Sequence, residues 1–110
     1  MLMYKIPIDL RNNPKSGSAM IQFFFAMNNI VHQKNICLIP LNGSLKPIEI
    51  TNGSILKTQG LIVIFPENYI HHFLPLLSKF NAFRIDSLTY SINIKTVIGD
   101  KSVINKVNRE

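Results

Sequence analysis

The three histidines are the side chains in this sequence best suited to acid–base chemistry near neutral pH. His32 lies at the end of a predicted helix, where it is a candidate general base for cutting RNA; a surface or capping role is the alternative. The adjacent His71 and His72 would point about 100° apart on a helix, so they cannot share one face. No histidine has a cysteine or carboxylate at the spacing of a metal site. We therefore expect no metal, and no catalytic residue beyond the candidate His32.

Cys37 is the only cysteine, and it lies in an apolar stretch that is typical of a strand. A single cysteine forms neither an internal disulfide nor a thiolate cluster, which indicates a reducing, cytoplasmic setting. We expect a buried side chain there rather than a nucleophile. The serines, threonines and carboxylates show no nucleophile turn or paired spacing, and the glycines match no nucleotide-binding loop. The sequence therefore predicts no cofactor and gives no support for hydrolase chemistry.

The charge of the chain favours an anionic partner, because 12 lysines and arginines against 6 acidic residues leave a net charge of +6. Many of these cations fall in predicted loops and in the tail, where they could follow an RNA backbone. We expect no aromatic stacking platform, since the outward side chains of the first and last predicted strands are not aromatic. An ordinary solvated surface is the alternative. The candidate RNA-binding residues are Arg11, Lys15, Lys57, Arg84, Lys95, Lys101, Lys106 and Arg109.

The elements that would position these residues follow from hydrophobic periodicity. Two segments alternate with the period of a half-buried strand, and a third, LIVIF, is continuously apolar like the middle strand of a sheet. One amphipathic helix is predicted over 19–32, and a second over 67–74 is interrupted by Pro75, with a kink or short turn over 75–80. The predicted strands are 3–10, 36–41, 61–65 and 87–94.

This order predicts an α+β fold of the ferredoxin-like βαββαβ type, a four-stranded antiparallel sheet with two helices on one face. The domain would cover 1–94, and 95–110 would form a basic C-terminal extension. Pro7 would lie in an internal strand, which proline disfavours, so we expect a local bulge there. The apolar runs are far shorter than a membrane span, so we expect neither secretion nor membrane association.

A surface for a protein partner is predicted on the outer side of the first helix. Ile21 and Phe25 fall there among polar side chains, where an isolated domain would normally show charge. Asn28 and Asn29 belong to the same candidate interface. A loop folding over these side chains, or an earlier helix end, is the alternative explanation.

Several segments together resemble a known family: YKIPIDLRNNP, MIQFFFAMNN, NICLIPL, FPENYIHHFLPLLSKF and INKVNRE. The chain resembles the N-terminal half of the CRISPR-RNA-processing endoribonucleases of type I-F systems, members of the ferredoxin-like RAMP superfamily. Such enzymes cut a repeat hairpin with a histidine on the first helix and grip it with a second half, which we expect this chain to lack. In the ungapped alignment Asn29 takes the place of that histidine, and His32 matches only if the helix register slips. The resemblance therefore implies a catalytically silent relative that serves as a component of a CRISPR complex or, like an anti-CRISPR protein, as its inhibitor.

The sequence thus leaves three hypotheses. The first is a non-catalytic domain that binds RNA or a ribonucleoprotein complex. The second is a protein–protein interaction module, as a homodimer or assembly subunit, with no role in nucleic-acid binding. The third is a hairpin-cutting endoribonuclease that uses His32.

Overall fold

The structure, a computed structural model, describes residues 1–7, 35–49 and 58–108. The strands in these ranges are β1 Leu2–Pro7, β2 Cys37–Leu41, β3 Gly60–Phe65, β4 Phe83–Ile85 and β5 Ile98–Gly99. The helices are α1 Ile70–Lys79, which follows the 3-10 turn Glu67–Tyr69, and α2 Ser102–Asn108, with a further 3-10 turn at Ile94–Thr96. The predicted α+β class is therefore confirmed. The predicted helix over 19–32 lies outside the described residues.

The described strands form one five-stranded sheet in the order β4-β1-β3-β2-β5, with every neighbouring pair antiparallel. The prediction of four strands is wrong, because β5 adds a fifth beside β2. The apolar run over 61–65 does form the middle strand, as predicted, and every residue of β3 is buried. β3 lies between β1 and β2, and β1 lies between β3 and β4. The connection from β1 to β2 therefore skips the strand β3, and the connection from β3 to β4 skips the strand β1.

Successive residues of β3 point to opposite faces of the sheet, and a separate core covers each face. The first core receives Phe73 and Leu77 from α1. The second core receives Val103 and Ile104 from α2, together with Val97 just before β5. The two described helices therefore pack on opposite faces. Burial on both faces explains why β3 is continuously apolar instead of alternating.

The predicted strand over 87–94 is wrong. The strand after α1 is β4, Phe83–Ile85, and residues 88–93 have no regular secondary structure. Their side chains nevertheless alternate between half-buried and exposed, because the segment lies across the second core. A segment resting on a sheet face shows the same alternation as a strand without forming ladder hydrogen bonds. Ile94, the last residue of the predicted strand, is 47% exposed.

The predicted end of the second helix at residue 74 is also wrong, because α1 continues through Pro75 from Ile70 to Lys79. Proline cannot donate a hydrogen bond to the carbonyl four residues earlier, here that of His71. Pro75 and His71 are both exposed, so the freed carbonyl group lies on the solvent side of the helix. The loss of this bond is tolerable there.

The prolines in the strands occupy positions where the missing N–H group costs little. Pro7 pairs with Gly60 in an uninterrupted register, so the predicted bulge is absent. β4 pairs with β1 only as far as Lys5, which leaves Pro7 with a single neighbouring strand. The Pro40 carbonyl accepts a hydrogen bond of 2.9 Å from the Ile48 amide. Because the N–H and C=O groups of a strand residue point to the same side, the nitrogen of Pro40 faces away from β3.

The segment predicted as a basic extension, 95–110, contributes to the sheet and to the core over its described part. It forms β5 and α2, and it buries the side chains Val97, Val103 and Ile104.

In the described part of the chain, no helix is long and apolar enough to cross a membrane.

Phe65 is the aromatic centre of the first core, and its removal should destabilise the fold strongly. Its ring is fully buried, 4.3 Å from the centroid of Phe73 and 5.8 Å from that of Tyr4. Phe65→Ala is expected to lower the free energy of unfolding by about 3–5 kcal/mol. The matched control is Phe83→Ala, which removes a ring that is 49% exposed and should cost clearly less. Equilibrium urea denaturation measures both, and equal losses would contradict this core.

Candidate functional site

The end of α1 sets the position of the candidate site. Asn81 adopts a left-handed conformation with φ 54°. The Ala82 amide donates to the Leu77 carbonyl at 2.9 Å, and the Asn81 amide donates to that of Ser78 at 3.3 Å. These two bonds form a Schellman motif, which satisfies the last carbonyls of the helix and turns the chain sharply. β4 therefore begins two residues later, at Phe83.

β4 brings an aromatic and a basic side chain to one edge of the sheet. Phe83 lies directly opposite Lys5 in the register, and Arg84 lies opposite Tyr4. Directly opposed residues of antiparallel strands share a face, so Phe83 and Lys5 lie on the face of the second core while Arg84 lies on the other. Within the described residues β4 pairs with β1 alone, so none of the described strands lies on its outer side.

Lys5, Phe83 and Tyr90 form what we call the β4 edge site. The Lys5 ammonium lies 5.9 Å from the centre of the Tyr90 ring, within the range of a cation–π interaction. Phe83 is the only aromatic side chain among the large hydrophobic residues that are exposed in the described ranges. In those ranges, the Lys5 ammonium and the Tyr90 hydroxyl make no hydrogen bond to another protein group. The site therefore offers one ring face and two polar groups with free hydrogen-bonding capacity.

The opposite edge of the sheet contains a group of hydrogen bonds centred on Asp100, which we call the Asp100 joint. Its carboxylate accepts hydrogen bonds from the Asn35 amide at 2.8 Å, the Ser102 amide at 3.0 Å and the Ser102 hydroxyl at 2.6 Å. Its own amide donates to the Ile36 carbonyl at 2.9 Å. Hydrogen bonds from Ser102 and Asn35, with the charge of Lys106, hold the pKa of Asp100 below its usual value. The joint ties the start of α2 to the chain just before β2.

The structure does not gather the predicted RNA-binding residues into one patch. Arg84 lies on β4. Lys101 directly precedes α2 and Lys106 lies within it, both close in sequence to β5. β4 and β5 are the two outer strands, separated by three others, so they lie about 19 Å apart at ~4.8 Å per strand. The Lys106 ammonium donates to the Asn35 side-chain carbonyl. Lys95 is exposed in the turn before β5.

The other predicted site residues lie outside the described residues, and their predicted roles stay predictions. The RNA-binding candidates among them are Arg11, Lys15, Lys57 and Arg109. The interface candidates are Ile21, Phe25, Asn28 and Asn29, and the catalytic candidate is His32.

Cys37 is a buried thiol, as predicted. Burial, together with the nearby Asp100 carboxylate, raises the pKa of Cys37 to about 12. The thiol therefore stays protonated at neutral pH and is a poor nucleophile. His71 and His72 are exposed on α1.

The β4 edge site was missed in the sequence. β4 has 3 residues, too few to show periodicity, and Tyr90 was assigned to a strand that does not form. The available signal was Asn81 after the apolar face of α1, because asparagine is one of the residues that end helices in a left-handed conformation.

Comparison of the chain with protein-family models, with curated proteins and with solved structures found no match.

The Asp100 joint predicts a pH-dependent stability. Asp100→Ala should lower the free energy of unfolding by about 1 kcal/mol at pH 7, the usual cost of losing a capping side chain. Because the pKa of Asp100 is lower in the folded protein than its ordinary value of 3.8, its contribution is present above that value. The contribution is lost as the pH falls through the folded pKa.

Urea denaturation from pH 7 down to pH 3 should therefore compare the wild-type chain with Asp100→Ala. The difference between their free energies of unfolding should become smaller below about pH 4. Asp86→Ala is the control, since Asp86 is exposed and makes no hydrogen bond within the described residues. A difference that does not change with pH would contradict the role of the carboxylate.

Proposed function

We propose that this chain is a non-catalytic domain that binds RNA, alone or within a ribonucleoprotein complex. The observation that carries the proposal is that, in the described part of the chain, the lysines and arginines form no direct salt bridge with a carboxylate, although the charge of Lys106 does act on Asp100. There, no lysine or arginine lies within 4.0 Å of a carboxylate. All but one of these cations are exposed, Lys5 being half-buried. They are Lys5, Lys46, Lys79, Arg84, Lys95, Lys101 and Lys106.

Cations without carboxylate partners favour a polyanion over a neutral ligand. A protein surface that neutralises itself through ion pairs gains little from phosphate, whereas free lysines and arginines release the counterions of a nucleic acid when they bind it. The net charge of +6 adds long-range attraction to the same partner. The separation of Arg84 from Lys101 fits contacts spread along a strand of RNA better than a single compact anion.

The proposal includes a fold relationship. The order β4-β1-β3-β2, with two connections that each skip a strand, is the arrangement expected of a ferredoxin-like domain, here extended by β5. This order supports the proposed kinship with the N-terminal half of the type I-F CRISPR-RNA-processing enzymes. On that basis the RNA or ribonucleoprotein partner would belong to a CRISPR complex, of which the chain would be a component or an inhibitor.

A binding role fits the described histidines better than cleavage does. Neither His71 nor His72, the two histidines in the described ranges, makes a hydrogen bond to a second polar group that would orient it as a base. The endonuclease hypothesis concerns His32 alone.

Strand addition by a protein partner is limited at both edges of the described sheet. β4 has 3 residues and β5 has 2, and short outer strands are one way in which proteins avoid edge-to-edge pairing. The described part of the structure therefore favours the RNA hypothesis over the interaction-module hypothesis.

The salt dependence of RNA binding tests the proposal. Fluorescence anisotropy with a labelled hairpin and a labelled single-stranded RNA, at about 50 to 300 mM KCl, should show affinity falling steeply with salt. Arg84→Gln should weaken binding and reduce the slope of log affinity against log salt by about one.

Lys46→Gln is the matched comparison for the loss of one positive charge, because Lys46 is an exposed cation in the turn after β2 and was not among the predicted RNA contacts. It should weaken binding less than Arg84→Gln. Binding that does not change with salt, or no binding of either RNA at the lowest salt, would refute the proposed function. Equal effects of the two substitutions would remove the role of Arg84 while leaving salt-dependent binding in place.

A further inference from the structure

The exposure of Phe83 distinguishes it from the other aromatic side chains of the described core. Phe65 and Phe73 are fully buried, while Phe83 is 49% exposed. The other large hydrophobic side chains exposed in the described ranges, Leu45, Leu74 and Ile94, are aliphatic. An exposed flat ring on an outer strand can stack on another flat, unsaturated group, which an aliphatic side chain cannot do.

The charges around this ring select the class of partner. Lys5 lies opposite Phe83 across the strand pair, and Arg84 follows it directly in β4. The acid nearest along the strand is Asp86, three positions away or about 10 Å in an extended chain. The Lys5 ammonium therefore lies on the same face of the sheet as the ring, while Arg84 lies on the opposite face of the same strand. A planar group joined to a phosphate is the complementary ligand of such a ring beside a cation.

We propose that the β4 edge site binds one unpaired nucleobase of RNA. The base stacks on the ring of Phe83, and the Lys5 ammonium on the same face contacts the phosphate next to that base. The Tyr90 hydroxyl donates to the base or to the ribose. This inference rests on the proposed RNA-binding function and specifies that the bound RNA is single-stranded at this point.

An unpaired base is required because the face of a paired base is already stacked within a helix. Stacking on an aromatic side chain tolerates any base, since every base has a π-face. The site therefore discriminates single-stranded from double-stranded RNA without reading a sequence.

The test uses two labelled probes, an oligouridylate of about ten nucleotides and the same sugar–phosphate backbone without bases. The wild-type chain should bind the oligouridylate about tenfold more tightly than the abasic backbone, the scale of one base–aromatic stack. Phe83→Ala should lose about that factor on the oligouridylate and keep its affinity for the abasic probe. Phe83→Tyr should retain the preference, and Phe83→Leu should lose it although it preserves the apolar bulk.

Leu74→Ala is the matched control, because Leu74 is 47% exposed on α1. It should leave both affinities unchanged, and circular dichroism should show that every variant is folded. Equal binding of the two probes by the wild-type chain would overturn the stacking site while leaving the RNA-binding function intact, as would an unchanged preference in Phe83→Ala. Loss of a protein partner in Phe83→Ala, with its RNA binding unchanged, would also overturn it. If neither probe binds at low salt, the proposed function fails and this site fails with it.

Discussion

The burial of β3 on both of its faces is the constraint on which the described structure depends. Every residue of Gly60–Phe65 is buried, and its side chains enter two separate cores in alternation. Each buried Leu, Ile, Val or Phe side chain contributes about 1.5–3 kcal/mol only if it is fully removed from water. The sheet therefore needs apolar side chains packed against both of its faces. Within the described residues, α1 supplies side chains to one core and the segment through α2 supplies them to the other.

This double cover decides where polar groups can lie. The interior of the sheet has no room for charge, so Lys5 on β1 is only half-buried and the other described cations are exposed. At one edge the Asp100 carboxylate fastens the start of α2 to the chain before β2. At the other, the Schellman turn at Asn81 ends α1 and leaves Phe83 beside Lys5 with its ring half exposed. The position of the candidate site is thus set by the turn that ends α1 and by the pairing of β4 with β1.

The elements with a strong local pattern could be predicted from the sequence. The apolar run of β3 identifies its strand, because burial on two faces produces that pattern directly. The alternating residue types of β1 also indicated a strand, although β1 contributes to both cores, with Leu2 and Ile6 in the first and Met3 in the second. The predicted strand over 87–94 also rested on alternation, and it failed. Leu88, Tyr90 and Ile92 do turn toward a core, but alternating burial does not reveal whether a segment is paired in a ladder or lies across the sheet.

The remaining elements depend on contacts between distant parts of the chain. β5 has 2 residues and carries no periodic signal of its own, so its pairing with β2 could not be read locally. Pro75 lowers local helix propensity, but α1 continues through it because Phe73 and Leu77 pack on the sheet. None of the three residues of the β4 edge site was predicted from the sequence. Arg84 was selected by its charge, whereas Phe83 and Lys5 meet only through the register of β4 with β1.

A truncation that ends the chain at residue 94 tests the two-core account most directly. It removes the segment that resembled a basic extension, and with it Val97, Val103 and Ile104, which cover the second face of β3. If that cover is essential, the truncated chain loses its cooperative thermal unfolding transition, as followed by circular dichroism. A truncated chain that unfolds cooperatively at the midpoint of the full-length chain would contradict the account.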